Sequence, residues 1–159
     1  MEKITIGQAA PEFILPDQDG KNHSLSDYRG KWILLYFYPK DQTPGCIKEA
    51  CSLRDEYAEF RRREVQILGV SIDSAQSHKK FAQKYALLFP LLVDEDKKVV
   101  NLYGVWSKKI FLGKEYMGIY RTSFLINPQG DIVKIYNNVN PATHTQEVLA
   151  DLEKETTRK

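Results

Sequence analysis

Two apolar segments separated by a helical pattern constrain the fold of this chain more than any other feature. The segment KWILLYFYP is almost entirely apolar and aromatic, which is typical of a strand buried on both faces of a sheet. The segment VQILGVSID, residues 65–73, has the same character. Between them, apolar residues recur at steps of four, three, four and three, the spacing of a helix with one buried face: Cys46, Ala50, Leu53, Tyr57 and Phe60. Strand, helix and strand in this order predict a right-handed parallel crossover.

Further predicted elements surround this crossover. Asp19-Gly20 between two short alternating segments predicts an N-terminal hairpin. A helix over about residues 74–85 and a short strand in FPLLVD follow, and TSFLINPQGDIVKIY predicts a second hairpin that turns near residues 127–130. A helix near residues 143–155 completes the series. This order predicts an α/β fold of the thioredoxin-like type, with helices flanking a central mixed sheet, an N-terminal β-hairpin extension and an inserted middle helix.

The composition fits one domain and argues against several classes of partner. A chain of 159 residues can bury a sizeable core, so we expect a single domain over residues 1–159 that needs no disulfide to fold. Lysine and arginine total 23 against 21 for aspartate and glutamate, which leaves a net charge of +2. This balance argues against nucleic acid or an anionic membrane as a partner. The densest basic run, residues 61–63, is expected at a solvated helix C-terminus.

The sequence predicts neither export nor membrane insertion. The opening residues, MEKITIGQAAPEF, lack the hydrophobic region of a secretory leader. The longest apolar run, Trp32–Tyr38, is far shorter than the roughly 20 residues that span a bilayer. We therefore expect a cytoplasmic protein in a reducing compartment. In such a compartment two close cysteines are more often catalytic, redox-active or metal-binding than structural.

Both cysteines lie in one short stretch, TPGCIKEAC, at the start of the predicted helix. Thr43 is a favourable N-cap and Pro44 suits the first helical position, which places Cys46 near the third. A helix N-terminus and a nearby cation stabilise a thiolate, the nucleophilic form of cysteine. The Thr43 hydroxyl either caps the helix through the Cys46 N–H or faces the sulfur. An inert core cysteine on the buried face explains Cys46 equally well at this point.

The spacing of the two thiols is incompatible with a disulfide in an undistorted helix. Cys51 lies off the buried stripe, about 140° around the helix axis from Cys46, so their α-carbons are roughly 8.7 Å apart. A disulfide tolerates about 4.4 to 6.8 Å. Either the thiols never meet, or the helix opens when they do. A metal site is a weaker interpretation, because the C-x₂-C pattern is absent and the histidines, expected at the surface or as caps, are scattered: His23, His78 and His144.

The stretch YFYPKDQTPGCIKEACSLRD resembles the active-site segment of the peroxiredoxins, specifically the Q-type class that includes bacterioferritin comigratory protein. The resemblance rests on the motif P-x-x-x-T-x-x-C, here Pro39, Thr43 and Cys46, and on an arginine before a late strand, here Arg121. It continues through PEFILPDQDGKNHSLSDYRGK and GVWSKKIFLGKEYMGIYRTSFLINPQG, so it covers nearly the whole chain. Ile47 departs from the pattern, since the family commonly has a small hydroxyl residue there. The departure bears on local packing rather than on the chemistry.

The resemblance implies a role for each matching residue. Cys46 would attack a hydroperoxide and become a sulfenic acid, while Arg121 holds the thiolate and polarises the O–O bond. Thr43 would hydrogen-bond the peroxide and the sulfur, and Pro39 would shield the sulfenate from water. Glu49, one turn beyond Cys46, would orient Arg121.

The resemblance further implies that Cys51 resolves the sulfenic acid as an intramolecular disulfide, which a thioredoxin-like dithiol reduces. It implies no cofactor and no metal, and it favours a monomer. Two other functions remain open at this point. A thiol-disulfide oxidoreductase would normally carry C-x-x-C, and a redox-responsive interaction module would need neither Pro39, Thr43 nor Arg121.

Overall fold

A computed structural model describes residues 4–157 of the chain, so the two ends of the predicted 1–159 domain lie outside the described residues. Nine strands and five α-helices are found within them. The strands are β1 (Ile14–Pro16), β2 (Asn22–Ser24), β3 (Trp32–Phe37), β4 (Val65–Ser71), β5 (Leu91–Val93), β6 (Trp106–Phe111), β7 (Lys114–Ile119), β8 (Thr122–Ile126) and β9 (Ile132–Tyr136). The helices are α1 (Pro44–Asp55), α2 (Tyr57–Arg62), α3 (Ala75–Lys84), α4 (Lys98–Leu102) and α5 (His144–Thr157).

A five-stranded mixed sheet forms the centre of the molecule. Its strand order is β5-β4-β3-β8-β9, with β3, β4 and β5 parallel to one another and with β8 and β9 joined through antiparallel pairs. Strand β3 is therefore central, and its residues from Ile33 to Phe37 are all buried. This strand, helix α1 and strand β4 form the predicted parallel crossover. The thioredoxin-like arrangement is confirmed.

The alternation of side chains along β3 divides the core into two apolar clusters, one on each face of the sheet. Leu34 and Tyr36 point to the face covered by α1, α2, α3 and α5. Ile33, Leu35 and Phe37 point to the face covered by α4, the N-terminal segment and the base of the β6–β7 hairpin. The site described below lies on the first face.

Most predicted elements occur where the sequence placed them, and one pattern is divided. The hairpins β1–β2 and β8–β9 and the helices α3 and α5 match their predicted positions. The stripe from Cys46 to Phe60 is carried by two helices, α1 and α2, which meet at Glu56. The stripe stays buried across this junction except at the half-buried Tyr57. The basic run lies at the end of α2, as expected.

The hairpin formed by β6 and β7 was not predicted. Its strands pair antiparallel from Trp106↔Ile119 to Phe111↔Lys114. Leu112 and Gly113 make the turn with φ of 51° and 78°, the left-handed values of a type I′ turn, for which Asn-Gly is the usual sequence signal. The turn here has the sequence Leu112-Gly113, so the sequence carries no such signal.

The expectation that the three histidines are ordinary surface or capping residues was wrong. His23, His78 and His144 are at most 4% exposed. His23 contacts Asp17 (2.7 Å) in the N-terminal hairpin, and His144, although it begins α5, contacts the Ser123 hydroxyl (2.8 Å). Burial of these rings depends on partners from other segments, which spacing along the chain does not reveal. No helix within residues 4–157 combines the length and apolar character needed to cross a bilayer.

Candidate active site

Cys46 lies in the first turn of α1, on the face that packs against the sheet. Thr43 adopts the extended conformation of an N-cap and Pro44 is the first helical residue, as predicted. The first i→i−4 bond runs from the Ile47 N–H to the Thr43 carbonyl (2.8 Å). The N–H groups of Gly45 and Cys46 thus precede this ladder, where a helix presents its positive end. The thiol itself is only 1% exposed.

Arg121 brings a cation to the Cys46 sulfur. Both terminal guanidinium nitrogens, Nη1 and Nη2, lie 3.5 Å from Sγ of Cys46. Arg121 immediately precedes β8, and the antiparallel pairing of Phe37 with Thr122 sets the start of β8 beside the end of β3. Since α1 follows β3, the sheet register brings Arg121 to the helix start across 75 residues of sequence.

Glu49 holds the other side of the guanidinium. Its Oε1 accepts a hydrogen bond from Nη1 of Arg121 at 2.9 Å, and its side chain is 1% exposed. Burial raises the pKa of Glu49 to about 7, although the charge and hydrogen bond of Arg121 oppose this rise. Burial also works against the charge on Arg121, but Cys46 and Glu49 outweigh it and raise the Arg121 pKa above its ordinary value. The predicted orienting contact between Glu49 and Arg121 is present.

Gly45 gives the guanidinium its space at the helix start. A β-carbon at this position would lie 2.9 Å from Nη2 of Arg121 and 3.6 Å from the ring of Pro141. Such a distance is too short for a non-bonded contact, so any side chain here would displace the arginine. This requirement was not apparent in the sequence, where Gly45 reads as part of a helix N-terminus.

The structure answers one question about Thr43. Its hydroxyl donates to the Lys40 carbonyl at 2.8 Å, and it makes neither a capping hydrogen bond to α1 nor a hydrogen bond to the sulfur. Pro39 is half-buried in the loop that joins β3 to α1. Both residues therefore lie in the segment that leads directly to Cys46.

Beneath the site, two buried polar atoms lack a hydrogen-bond partner within the described part of the chain: the Tyr36 hydroxyl and Glu49 Oε2. Tyr36 packs against Gly69, where a β-carbon would lie 3.0 Å from the hydroxyl. Burial, followed by the charges of Glu49 and Cys46, raises the Tyr36 pKa well above its ordinary value. Tyr36 was predicted only as a core strand residue.

Lys109 is a second cation near the site that sequence reasoning missed. Burial and then the positive charge of Arg121 lower its pKa, whereas Cys46 acts in the opposite direction. Its ammonium lies 5.0 Å from the ring centroid of Tyr120, whose hydroxyl donates to the Lys108 carbonyl at 2.6 Å. The β6–β7 hairpin therefore borders the site. Lys109 was not predicted as a site residue because the hairpin that carries it was not predicted.

Cys51 occupies a different environment in α1. It is half-buried, and both cysteines are free thiols. Its neighbours fasten this part of α1 to the rest of the molecule: the Ser52 hydroxyl donates to Thr145 of α5 at 2.7 Å, and Arg54 donates to the Tyr85 carbonyl at 2.7 Å. Both cysteines lie within one helix, so regular geometry keeps their α-carbons roughly 8.7 Å apart.

One group of potential metal ligands lies near the loop before α1. Donor atoms of Asp41, Asp73 and His78 are within 4.8 Å of one another. Each of these atoms already takes part in hydrogen bonds within the group or with adjacent serines. The arrangement is that of a closed polar network.

Comparisons with known proteins agree over nearly the full length of the chain. Residues 6–135 match the AhpC/TSA family. Peroxiredoxin Bcp of Bacillus subtilis is 47% identical over 149 residues, which covers 94% of this chain and 95% of that protein. Peroxiredoxin Bcp of Escherichia coli is 44% identical over 149 residues, covering 94% and 96% respectively.

Two solved structures extend the similarity to the fold. PrxQ of Xylella fastidiosa has a TM-score of 0.92 at 32% identity, covering 98% of this chain and 99% of that one. The bacterioferritin comigratory protein of Xanthomonas campestris has a TM-score of 0.86 at 36% identity, covering 91% and 92%.

Proposed function

Since the chain belongs to the AhpC/TSA family and is a peroxiredoxin, an enzyme that reduces peroxides with a thiol, we propose that Cys46 is the peroxidatic nucleophile and Cys51 the resolving thiol. The observation that carries this assignment is the approach of both terminal nitrogens of Arg121 to the Cys46 sulfur, at 3.5 Å each. Cys46 also lies at a helix N-terminus, which stabilises negative charge.

In the first step the Cys46 thiolate attacks one oxygen of the peroxide. An S–O bond forms as the O–O bond breaks, so the sulfur is oxidised to a sulfenic acid and the other oxygen leaves, with a proton, as water or an alcohol. Arg121 and the free N–H groups of the first turn stabilise the charge that moves onto the leaving oxygen. Thr43 turns its hydroxyl from the Lys40 carbonyl toward the bound peroxide, and Pro39 shields the product from water.

In the second step the Cys51 sulfur attacks the Cys46 sulfenic acid. An S–S bond forms and the sulfenic oxygen leaves as water. The α-carbons of Cys46 and Cys51 are roughly 8.7 Å apart in a regular helix and must approach to about 6.8 Å or less. The first turn of α1 therefore unwinds as the bond forms. A dithiol reductant of the thioredoxin type then attacks the disulfide, becomes oxidised itself and restores both thiols.

The substrates are hydrogen peroxide and organic hydroperoxides. The Xanthomonas campestris relative, whose structure was determined with a trapped intermediate, has alkyl peroxide reduction activity, and the same chemistry is proposed for this chain. We place the enzyme in the cytoplasm as a monomer that contributes to antioxidant defence. The near balance of charges supports a small-molecule substrate over nucleic acid.

The test is a thiol count and intact mass before and after stoichiometric hydrogen peroxide. The proposal expects both thiols to disappear and the mass to correspond to one intramolecular disulfide, with rapid peroxide consumption when thioredoxin is regenerated. Intact thiols after peroxide, or a disulfide between two chains, would contradict it. A disulfide that forms without rapid turnover would indicate a redox-responsive module instead.

A further inference from the structure

Asp41, in the loop between β3 and α1, lies at the centre of a buried polar network that the reaction steps above do not use. Its side chain is 1% exposed. Oδ1 accepts a hydrogen bond from the Tyr38 hydroxyl at 2.6 Å. Oδ2 accepts one from the Ser77 hydroxyl at 2.8 Å and lies 2.6 Å from Nδ1 of His78. The carboxyl group thus lies within hydrogen-bond distance of three polar side chains.

The ring of His78 is held at both nitrogens. Nε2 lies 2.8 Å from the Leu92 carbonyl oxygen, which only accepts, so Nε2 donates to it. Nδ1 lies 2.6 Å from Oδ2 of Asp41. The side chain of His78 is 0% exposed, so Asp41 and His78 form a hydrogen-bonded pair that is removed from water.

The backbone of Asp41 is fixed as firmly as its side chain. Its N–H donates to Oδ2 of Asp73 at 2.9 Å, and Ser71 at the end of β4 donates to the same oxygen at 2.6 Å. Asp41 is thereby joined to the ends of β3 and β4 and to α3. The loop cannot shift without breaking several of these bonds at once.

The next residue shows what this attachment holds in place. Gln42 has a φ of 62°, a left-handed conformation that is unfavourable for any residue other than glycine. Such conformations persist where the surroundings determine them from several sides. Thr43, which follows directly, is the N-cap of α1, and Cys46 lies in the first turn. The backbone turn at Gln42 sets the direction in which this helix starts.

We propose that the buried Asp41–His78 pair is a positioning pair: it holds the turn at Gln42, so that Thr43 and Cys46 meet Arg121, and it is the fixed end from which α1 unwinds. This inference rests on the proposed role of Cys46. Neither Asp41 nor His78 touches the sulfur; both act through Gln42, the one residue between Asp41 and Thr43. Unwinding therefore begins after Asp41.

The chain contains a matched control for this pair. Asp17 and His23 form a second buried carboxylate–histidine contact, 2.7 Å long, in the N-terminal β1–β2 hairpin. Asp17→Asn and Asp41→Asn remove the same charge from the same kind of contact. Only the second alters the segment that leads to Cys46.

The experiment measures the rate at which hydrogen peroxide converts Cys46 to a trappable sulfenic acid, in a Cys51→Ser background. Formation of that sulfenic acid in the parent tests the proposed function by itself. Asp41→Asn should then slow the reaction by about 10²-fold, since misplacement by about 1 Å costs that much. Asp17→Asn should leave the rate within about 2-fold of the parent, because its contact lies outside the loop that places the catalytic group. Equal rates in the two variants, at equal folded fractions, would overturn the positioning role.

A second measurement uses the unaltered chain, so it does not depend on whether Asp41→Asn folds. Nitrogen-15 NMR of the reduced protein should show Nε2 of His78 protonated, since it faces the Leu92 carbonyl; a ring protonated only at Nδ1 would overturn the described hydrogen bonds of the pair. In the disulfide form, amide exchange should increase from Thr43 onward while the Asp41 amide stays protected. Increased exchange at Asp41 would show that the pair is not the fixed end.

Discussion

The first and second turns of α1 each carry a thiol, and their surroundings differ in nearly every physical respect. Around Cys46 the helix N-terminus, Arg121 and Glu49 form a buried pocket in which charge is already in place. Cys51 is half-buried, in a part of the helix fastened to α5 and to the Tyr85 carbonyl. In the proposed mechanism, one helix thus provides both the peroxidatic and the resolving thiol. The difference between them lies in surroundings assembled from distant segments.

The same comparison identifies the part of α1 that can move. Asp41 fixes the chain before the helix, and the Ser52–Thr145 hydrogen bond fixes it just after Cys51. The segment between these two attachments contains both Cys46 and the turn that must unwind for a disulfide. In the proposed resolution step, Cys46 therefore leaves its pocket and moves toward Cys51.

The largest expected effect separates the two thiols directly. Cys46→Ser should abolish peroxide reduction, because the nucleophile is lost. Cys51→Ser should retain one fast turnover and accumulate a sulfenic acid on Cys46, which dimedone labelling and mass spectrometry detect. Loss of the first turnover in both variants would remove the distinction between the two turns.

The next effect concerns Arg121, whose two terminal nitrogens each lie 3.5 Å from the sulfur in the first turn. Arg121→Lys keeps a positive charge but cannot place two donors on one sulfur. It should slow the first step by about 10²- to 10³-fold, the usual cost of losing a donor to developing charge. The rate should be compared at pH values where ultraviolet absorbance shows equal thiolate content. Full recovery of the rate under those conditions would limit Arg121 to stabilising the thiolate.

Gly45→Ala offers a test in which stability and activity move in opposite directions. Alanine is favoured over glycine in a helix by up to about 1 kcal/mol. Its β-carbon, however, would lie 2.9 Å from Nη2 of Arg121 and displace the guanidinium. We expect an unchanged or raised midpoint of urea unfolding together with a loss of peroxidase rate of about 10-fold. A fall in stability with intact activity would contradict this account of Gly45.

The smallest expected effect is that of Glu49→Gln. The amide oxygen still accepts a hydrogen bond from Nη1 of Arg121. The rate should therefore fall only by about 2- to 5-fold, because a neutral acceptor replaces a charged one while the hydrogen bond is kept. The pH dependence of stability should change more clearly. In the folded state the pKa of Glu49 is raised from its usual 4.5 to about 7, so the folded protein binds this proton more tightly than the unfolded chain. Stability therefore declines as pH rises from 4.5 through about 7.

Removal of the carboxyl should flatten that decline. Urea unfolding of the parent and of Glu49→Gln at matched pH values measures the difference in slope. Asp17→Asn provides the reference of opposite sign: burial raises the pKa of Asp17, but His23 and two backbone N–H groups outweigh burial and hold this pKa below its ordinary value. Parallel pH profiles for the parent and Glu49→Gln would show that Glu49 does not titrate in this range.

The sequence predicted the parts of the molecule that depend on local pattern. The buried strand β3, the start of α1 and the crossover to β4 follow from apolar spacing, from Thr43 and from Pro44. The motif resemblance located Cys46 and Arg121. Contacts between distant segments could not be predicted. The burial of His78 depends on Asp41 and on the Leu92 carbonyl, and the need for glycine at position 45 depends on Arg121, which precedes β8. The β6–β7 hairpin was not predicted, because Leu112 occupies a turn position at which asparagine is the usual signal.

The sheet order also determines when, during synthesis, the thiol becomes reactive. A chain that has emerged only through β4 contains β3, α1 and Cys46, but Arg121 has not yet been made, because it follows Cys46 by 75 residues. Local strand and helix contacts form early, whereas the pairing of β3 with β8 closes a long loop and forms late. The nascent or partly folded chain therefore carries a cysteine without its cation. Under the proposed role of Cys46, the insertion of β8 beside β3 completes the reactive centre, and we expect peroxide chemistry only in molecules whose central sheet is assembled.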